Sequence, residues 1–525
     1  MRSRRLPVLV LVPVVLVALA IAERGHAHDL AAPIARGGGD ALAALAPTAA
    51  PDTALSSTFY CAGGSATAGD VLDATVVIAN PAPIALVAHV TVYPAALQGD
   101  ASGQQAVAAL RPKERDVAVP PRSRAELRLG DVQASPFAAA LVEVQGGGVA
   151  VERRTSGPRG VAASPCAAAP STSWYLPSGT TTKDARELLA LFNPFPDNAI
   201  VDLSFITSDG FRAPPPYQGL VVPGQQVVVV DIGSAAGRHE QVSTEVVARS
   251  GRLIVDRLQT FDGSDQNHPQ GAAATLAAPQ PSSVWAFAEG LVTDGLNETY
   301  TVLNPGAQAA AVELEVALDD PSTNGVVDPI QVSVPARSYV QVAMRNETRV
   351  PAGVGHAVTV RSPVGQPVVA ERVLTAAAPA PRLGYGPALG SPFVATRWLF
   401  ADGRADPTTA EFIVVSNPTD QTVHVKVTVL AQGQALPVDG LQAVEVAPGS
   451  RIALDLGQHV NRVDLPLLVE VDGPVVVERG MYAASGPGLS LAAGVPLVDG
   501  IARPPSPPST TTTTTTLPPV PDASS

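Results

Sequence analysis

Residues 301–318 read TVLNPGAQAAAVELEVAL and contain the two features that decide the fold. The first is Asn304-Pro305, at the end of an apolar run. The second is the alternation that follows, in which Val312 and Leu314 are apolar and the residues beside them are glutamates. Alternation with a period of two is typical of a β-strand with one buried face. A residue before proline is driven to extended geometry and Asn caps its own turn, so Asn-Pro predicts a strand end.

The same landmarks occur four times in the same order. Asn-Pro recurs at spacings of 113, 111 and 113 residues, at Asn80, Asn193, Asn304 and Asn417. Tryptophans precede the last three of these sites by 19 residues, at Trp174, Trp285 and Trp398. A valine-rich run near the end of each copy closes on an acid-arginine pair, at Glu152-Arg153, Asp256-Arg257, Glu371-Arg372 and Glu478-Arg479. This order indicates a tandem repeat of about 112 residues.

A period of this length is too long for a propeller blade or a solenoid coil. It suits one all-β domain of seven or eight short strands. We therefore predict an all-β protein of four tandem immunoglobulin-like β-sandwich repeats, at residues 58–165, 171–275, 282–380 and 392–500. We expect the repeats to lie in a row, each contacting only its neighbours, because each strand pattern closes its own core. The alternative is one large propeller, with two short four-stranded sheets from each repeat.

The two ends of the chain are predicted to lie outside these repeats. Residues 1–22 combine a basic start with an apolar run over residues 6–22, which is typical of a cleaved signal peptide and also just long enough for a retained membrane anchor helix. Residues 23–57 are predicted to form a flexible Ala/Gly/Pro tether, and residues 501–525 a disordered Pro/Thr-rich tail. The protein is therefore expected outside the cytoplasm, either secreted or anchored to the plasma membrane by residues 6–22, with no other membrane contact.

The composition excludes several classes of function. The net charge is −13 and the basic residues are scattered singly, which excludes nucleic acids and anionic membrane surfaces as partners. A hydrophobic content of 46% with 15% charged residues excludes a wholly disordered chain. The remaining partners are an unidentified envelope protein or an envelope polysaccharide.

Motifs for catalysis are missing from the sequence. The eight histidines show no His-Glu-x-x-His spacing, and there is no Gly-x-Ser-x-Gly elbow or phosphate-binding loop. We therefore predict no enzyme, no catalytic residue, no cofactor and no metal site. The alternative is a hydrolase hidden in one divergent repeat, which would gather histidine and carboxylates with shifted pKa values. The acid-arginine pairs are predicted to be structural, with side chains on opposite faces and an aromatic ring or backbone carbonyl as partner.

Two sets of residues remain as candidate sites. Cys61 and Cys166, the only cysteines, bracket the first repeat. Outside the cytoplasm they are expected to form a disulfide, the alternative being two buried free thiols. The three tryptophans are either platforms for stacking sugar rings or large buried side chains that close one end of each sandwich.

The stretches Phe59-Tyr60-Cys61-Ala62-Gly63-Gly64 and Trp174-Tyr175, with the repeated Asn-Pro, carry a family resemblance over residues 58–500. The chain resembles an uncharacterised domain-of-unknown-function family of exported actinobacterial proteins with an N-terminal membrane segment. The resemblance implies an address and a β fold, and no activity. We expect a non-enzymatic exported cell-envelope scaffold or spacer. The alternative is a carbohydrate-binding protein that uses the repeated tryptophan edges on envelope glycan.

Overall fold

The structure, a computed structural model, describes residues 42–108, 110–265, 268–319 and 325–505. The predicted signal or anchor at residues 1–22 lies outside them, as do most of the tether and most of the tail. No helix in the described part of the chain is long and apolar enough to cross a membrane. The described strands fall into four consecutive groups, which we call units 1 to 4.

Units 1 and 2 contain the first seventeen strands and two short helices. The elements of unit 1 are β1 (Ser57–Cys61), β2 (Asp73–Asn80), β3 (Leu86–Ala95), α1 (Ala101–Ala108), β4 (Lys113–Val119), β5 (Ser123–Arg128), β6 (Phe137–Val144), β7 (Ala150–Gly157) and β8 (Gly160–Pro165). The elements of unit 2 are β9 (Ser173–Leu176), β10 (Ala185–Asn193), β11 (Ala199–Thr207), β12 (Gly210–Arg212), β13 (Gln218–Val222), β14 (Gln226–Asp231), α2 (Ile232–Ala236), β15 (Ser243–Ser250), β16 (Ile254–Phe261) and β17 (Gly271–Leu276).

Units 3 and 4 contain the other seventeen strands. The strands of unit 3 are β18 (Val284–Phe287), β19 (Leu296–Asn304), β20 (Ala310–Leu318), β21 (Ile330–Val334), β22 (Ser338–Ala343), β23 (His356–Arg361), β24 (Val369–Ala376) and β25 (Gly384–Leu389). The strands of unit 4 are β26 (Ala395–Phe400), β27 (Thr409–Ser416), β28 (Val423–Ala431), β29 (Gln434–Pro437), β30 (Val444–Val446), β31 (Arg451–Asp455), β32 (Leu467–Ala483), β33 (Leu489–Ala493) and β34 (Val495–Pro496). Short 3₁₀ turns lie at Leu129–Asp131, Pro215–Tyr217, Met344–Asn346, Leu456–Gln458 and Val498–Gly500.

Each unit consists of two antiparallel sheets. The A sheet contains the first strand of the unit, in the order β1-β6-β3-β4 in unit 1, β12-β11-β15-β9 in unit 2 and β18-β23-β20-β21 in unit 3. The B sheet contains the strand before Asn-Pro and the last strand, in the order β5-β2-β7-β8, β14-β10-β16-β17 and β22-β19-β24-β25. In unit 4 the long strand β32 serves both sheets, pairing with β26 and β28 and then with β27 and β33.

The two sheets of a unit enclose a core built from the predicted alternating residues. In unit 1, Phe59 of β1, Val76 of β2 and Val142 of β6 belong to one buried cluster. In β20 of unit 3, Val312 and Leu314 are buried while the glutamates beside them are partly exposed. The predictions of a predominantly β protein and of alternating strands are confirmed.

The strand order differs from the immunoglobulin order that we expected. In that fold the first two strands are neighbours in one sheet. Here β1 and β2 lie in different sheets, and β2 lies between β5 and β7. Alternation reveals which face of a strand is buried, but it carries no information about which strand is its neighbour.

The predicted end of the third repeat at residue 380 is also wrong, because β25 begins at Gly384 and pairs with β24 of the same unit. Its sequence, GYGPAL, contains glycine and proline, which are depleted in strands. For that reason it resembles a linker in the sequence.

The units form a closed ring, and the predicted row is wrong. The last strands of the four B sheets pack together, because β8 contacts β17 and β33, and β25 contacts the same two strands. Unit 1 therefore contacts unit 4 as well as unit 2. The last strands are rich in alanine and glycine, and a Cβ added at Gly271 would lie 2.8 Å from the Cβ of Tyr385 in unit 3. Small residues allow four strand backbones to meet around one axis.

Candidate functional site

The acid-arginine pairs of the four units join into one closed cycle of ion pairs. Each arginine binds the acid of the next unit, as Arg153–Asp256, Arg257–Glu371, Arg372–Glu478 and Arg479–Glu152. The last pair joins unit 4 to unit 1 across 327 residues of sequence, with Arg479 Nη1 2.9 Å from Glu152 Oε2. All eight side chains are 0 to 3% exposed. We call this cycle the arginine ring.

Strand geometry explains how one dipeptide reaches two neighbouring units. Adjacent residues on a strand point to opposite faces. In β7, Arg153 shares a face with Val151, which lies in the core of unit 1. Glu152 shares the other face with Ala150, which packs against Leu399 of unit 4. The two side chains of each dipeptide therefore lie on opposite faces of the B sheet. The arginine pairs with the acid of the following unit, and the acid pairs with the arginine of the preceding unit.

The partners predicted for the arginines are present, but they are not the complete set. Arg479 lies 5.5 Å from the ring centroid of Phe400 and donates to the carbonyl of Asp402. Arg372 lies 5.5 Å from the ring centroid of Phe287 and donates to the carbonyl of Glu289. The aromatic ring and the carbonyl are thus confirmed in these two units, and the carboxylate of the next unit is the partner that the sequence did not reveal.

A backbone amide donates a hydrogen bond to each carboxylate in the arginine ring. The amides that follow the first strand of each unit donate to the acids at 2.6 to 3.0 Å, as Ala62 N to Asp256, Ser178 N to Glu371, Glu289 N to Glu478 and Asp402 N to Glu152. Burial alone would lower the pKa of Arg257, but Glu371, Tyr385 and Glu187 together outweigh it and the pKa is raised. Further hydrogen bonds offset part of the cost of burying a charge pair, and these amides supply one to each carboxylate. Glu478 Oε1 and the Nε atoms of all four ring arginines have no hydrogen-bond partner among the described residues.

A third carboxylate lies beside the arginine in three of the units. It occurs six residues before the Asn of Asn-Pro, as Glu187, Glu298 and Glu411, and the corresponding residue of unit 1 is Ala74. All three glutamates are 0 to 1% exposed. A glycine makes room for two of them, because a Cβ added at Gly179 would collide with the Glu187 carboxylate and one added at Gly403 would lie 2.9 Å from both Glu411 carboxylate oxygens. In unit 3 the corresponding Gly290 lies against His356.

The three glutamates are accommodated in different ways. Neither oxygen of Glu187 has a hydrogen-bond partner among the described residues, and burial raises its pKa to about 8. Burial likewise raises the pKa of Glu411 to about 8, although it accepts from the Arg404 amide. Glu298 instead accepts from the Tyr300 hydroxyl at 2.5 Å and lies 2.7 Å from His356 Nε2. Burial alone would lower the pKa of His356, and the Glu298 carboxylate raises it overall.

Glu187, Glu411 and His356 are titratable groups that are buried away from solvent. With pKa values near 8, Glu187 and Glu411 are mostly protonated at neutral pH, so Arg257 and Arg479 each face one charged and one neutral carboxyl. In unit 3 the raised pKa of His356 favours the protonated imidazole beside Glu298. The arrangement keeps the centre close to electrical neutrality. It leaves Arg257, Arg372 and their carboxylates with no exposed side-chain atoms for a substrate to reach.

The three tryptophans cannot stack sugar rings, which corrects that interpretation of Trp174, Trp285 and Trp398. They are 1%, 1% and 0% exposed. Each indole N–H donates to a backbone carbonyl, at Leu253, Val368 and Ala395 respectively, at 2.7 to 3.1 Å. An indole has a single hydrogen-bond donor and no acceptor, so this one bond satisfies the buried ring. The three rings are part of the cores of units 2, 3 and 4.

The repeated asparagines behave as predicted. In unit 3, Asn304 Nδ2 donates to the carbonyl of Gln308 at 2.7 Å, and Oδ1 accepts from the Gly306 amide at 2.9 Å. The same Nδ2 also donates to the carbonyl of Val334 at 3.0 Å, at the end of β21. The asparagine therefore caps its own turn, as expected, and also ties it to the proline turn that follows β21.

Cys61 and Cys166 are joined, with their sulfur atoms 2.01 Å apart. Cys61 ends β1, and Cys166 directly follows β8, so the bond connects the first strand of unit 1 to the end of its last strand. Both residues lie in the buried cluster of that unit.

An apolar cavity of about 80 Å³ lies among the last strands of the four B sheets. Alanines of the last strands line it, among them Ala163, Ala274, Ala388 and Ala492. Residues 45–47 of the segment before β1 also contribute to its lining. Further clefts lie at the borders between units, including one of about 400 Å³ between units 1 and 4.

Two spacing signals in the sequence were missed. The glutamate six residues before the asparagine recurs in three repeats. A glycine occurs five residues after the leading aromatic residue in all four, at Gly64, Gly179, Gly290 and Gly403. An alignment of the four repeats would have found both. Nothing in one repeat indicates that its acid pairs with another repeat.

Comparison with known proteins gives a family match over part of the chain. The model of a family of unknown function (DUF5719) matches residues 148–381. No curated protein matches the chain.

Among solved structures, the Anabaena sensory rhodopsin transducer is 28% identical and matches 17% of this chain and 94% of its own, with a TM-score of 0.15. Escherichia coli alpha-2-macroglobulin is 11% identical over 85% of this chain and 40% of its own, with a TM-score of 0.13. Streptomyces avermitilis α-L-rhamnosidase is 11% identical over 75% and 53%, with a TM-score of 0.10. TM-scores this low carry no argument about the architecture or the activity of this chain.

Proposed function

We propose that the protein is a non-enzymatic, exported component of the cell envelope, in which four tandem copies of one β-sandwich form a rigid platform for interaction. The observation that carries the proposal is the arginine ring, whose charged groups are buried and used on one another. Buried charged groups that pair across the borders between units serve architecture and not turnover. A closed ring adds no length with each unit, so we propose a platform and no longer a spacer.

The Cys61–Cys166 bond supports the exported location. Disulfides persist in oxidising compartments and are rare in the reducing cytosol. A bond that joins the two ends of one unit is the kind of structural disulfide found in secreted domains. The proposed location is therefore extracytoplasmic, with residues 6–22 as the signal or the anchor.

The described ends of the chain support a tethered platform. Ala49 pairs with Leu497, and Val394 pairs with Ala502, so the segments at both ends lie against unit 4. The proposed tether and the proposed tail would then start from the same side of the ring. Most of the ring surface is left available to an envelope protein or polysaccharide.

The location can be tested with one exposed cysteine. Val364 is 80% exposed, and Val364→Cys would be the only free thiol because Cys61 and Cys166 are bonded. In intact cells we expect this full-length variant to react with a membrane-impermeant maleimide as completely as after lysis. Labelling only after lysis would contradict export.

The platform can be tested by co-sedimentation of the full chain with detergent-washed cell envelopes. We expect saturable retention that one class of treatment, protease or polysaccharide-degrading enzyme, abolishes. Arg479→Leu, which breaks the border between units 4 and 1, is expected to weaken retention, whereas Arg186→Leu at an exposed ion pair is not. Lack of retention, or turnover of envelope polymers by the purified chain, would contradict the proposal.

A further inference from the structure

The loop between β16 and β17 of unit 2 differs from its counterparts in the other units. It spans residues 262–270, whereas the corresponding connections are residues 158–159, 377–383 and 484–488. Its sequence, DGSDQNHPQ, contains three side chains able to bind metal, Asp262, Asp265 and His268. Unit 2 thus carries a group of ligands that the other units lack at this position.

Two of these side chains converge with Asp184, the residue before β10. His268 Nδ1 lies 3.0 Å from Asp184 Oδ2. One ligand atom each from Asp184, Asp265 and His268 lies within 4.8 Å of the other two. The side chains of Asp184 and His268 are 4% and 15% exposed, and the His268 ring packs on Phe261 with 5.1 Å between ring centroids. The ligands are therefore held beside the start of β10, an inner strand of its sheet, by packing as well as by the loop.

The other nitrogen of the imidazole also faces a carboxylate. His268 Nε2 lies 3.3 Å from Glu240 Oε2. Histidines that bind metal usually donate their second ring N–H to a carboxylate, which fixes the tautomer and strengthens the ligand. Three carboxylates surround this one imidazole, so the group keeps a negative charge even when the imidazole is protonated. The pKa of the neighbouring Asp262 is lowered by hydrogen bonds from Ser264 and also by the positive charges of Arg159 and Lys183.

We propose that Asp184, Asp265 and His268 bind a first-row divalent metal ion, with Zn²⁺ as the best fit, and that Glu240 orients His268. One imidazole nitrogen with two carboxylate oxygens is a ligand set suited to zinc and its neighbours, whereas calcium takes oxygen ligands. The ion would cross-link the loop of residues 262–270 to Asp184 at the start of β10. The sequence did not suggest it, because 84 residues separate Asp184 from His268.

Two other histidines provide matched controls. His424 lies 2.8 Å from Asp472 and 3.9 Å from Glu445, and His89 lies 2.7 Å from Asp116 and 3.5 Å from Glu114. Both are therefore imidazoles between two carboxylates, on exposed strand surfaces. Among the described residues, neither belongs to a group of three converging ligand atoms such as that at His268.

The test is calorimetric titration of the full chain, purified without a polyhistidine tag and treated with chelator, with ZnCl₂, CoCl₂ and CaCl₂. We expect one zinc site, cobalt binding with a new visible absorption band, and no calcium binding at the same ligands. His268→Gln and Asp184→Asn should abolish the zinc site, and Glu240→Gln should weaken it about 10- to 100-fold. His424→Gln should leave it unchanged.

The result that overturns the proposal is no saturable zinc binding, or equal binding by the parent and His268→Gln. In that case His268 forms an ordinary ion pair with Asp184 and Glu240. Asp265→Asn keeps the test decisive if a buried variant does not fold, because Asp265 is exposed and its change is expected to remove one ligand without disturbing the core. Equal zinc affinity in folded Asp265→Asn would exclude it as a ligand and refute the site as proposed.

Discussion

Unit 1 and the other three units solve the same packing problem with different residues. Units 2 to 4 close their cores with a tryptophan and place a buried glutamate beside the ring arginine. Unit 1 has Phe59 in place of the tryptophan, Ala74 in place of the glutamate, and a disulfide from Cys61 to Cys166. The arginine–carboxylate pair is what all four keep. The difference teaches that the pair maintains the ring, while the means of stabilising each unit can vary.

The third carboxylate shows how that variation affects charge. Arg153 of unit 1 faces the single acid Asp256, whereas Arg257 of unit 2 lies near both Glu371 and Glu187. In units 2 and 4 the extra acid carries a proton at neutral pH, and in unit 3 the raised pKa of His356 favours a positive charge beside Glu298. Unit 1 needs neither.

Removing the disulfide is expected to lower the stability of the protein more than any other change considered. It tests the feature in which unit 1 differs most from the other units. The bond closes a loop of 105 residues. In the chain-entropy model such a loop contributes about 4–5 kcal/mol. The double variant Cys61→Ser/Cys166→Ser should therefore unfold at much lower urea concentration, with unit 1 opening first. Unit 1 opening can be followed by hydrogen exchange of β2 and β7, and a loss under about 1 kcal/mol would contradict the role assigned to the bond.

Removing a ring arginine is expected to have the next largest effect. Breaking a buried ion pair from one side typically costs about 3–5 kcal/mol, because a charge is left unpaired. Arg257→Leu leaves two carboxyls in an apolar site and Arg153→Leu leaves one, so Arg257→Leu should be the more destabilising in urea unfolding. Arg186→Leu, at a pair that is 52% exposed on the arginine side, should change stability by less than about 1 kcal/mol. Equal effects of the two buried substitutions would remove the distinction between the units.

The pH dependence of stability gives a smaller and more specific effect. The pKa of Glu187 is about 8 in the folded chain, against an ordinary value of 4.5. The folded state therefore binds the proton more tightly than the unfolded chain, and stability falls as pH rises from about 4.5 to about 8. The slope from one such group is at most about 1.4 kcal/mol per pH unit.

Glu187→Gln keeps the shape of the side chain and removes its titration. Its unfolding free energy should vary less between pH 5 and pH 8 than that of the parent, and should exceed that of the parent at pH 8. Glu445→Gln, on a side chain that is 76% exposed, is the matched control and should leave the pH profile unchanged. A Glu187→Gln profile that parallels the parent would show that Glu187 does not hold a proton in this range.

The sequence predicts the inside of each unit better than the relation between units. Alternation identified the buried faces of strands such as β20, and Asn304 was recognised as the end of β19. Both are local effects, determined by residues within about ten positions. The strand order was not predictable, because pairing partners such as β2 and β7 are far apart in sequence.

The ring itself escaped prediction for a related reason. The glycine- and alanine-rich strand β25 reads as a linker when considered alone, and only the approach of β17 and β33 explains its small residues. Likewise the sequence predicts a structural role for Glu152-Arg153, but nothing within that repeat identifies Arg479 as the partner of Glu152. Closure depends on a contact between the first and the last unit, which a pattern within one repeat does not encode.

The most direct test of the ring is a distance between unit 1 and unit 4. Val161 and Val463 are 42% and 54% exposed and line the same cleft between these units. In the double variant Val161→Cys/Val463→Cys the two introduced cysteines would carry the only reactive thiols, because Cys61 and Cys166 are bonded. Each would be spin-labelled, and pulsed electron paramagnetic resonance would measure the distance between the two labels. The ring predicts one narrow distribution below the diameter of a single unit, about 34 Å from the usual scaling of size with length. A row would place the labels roughly 100 Å apart, about three unit diameters, and that result would contradict the closed ring.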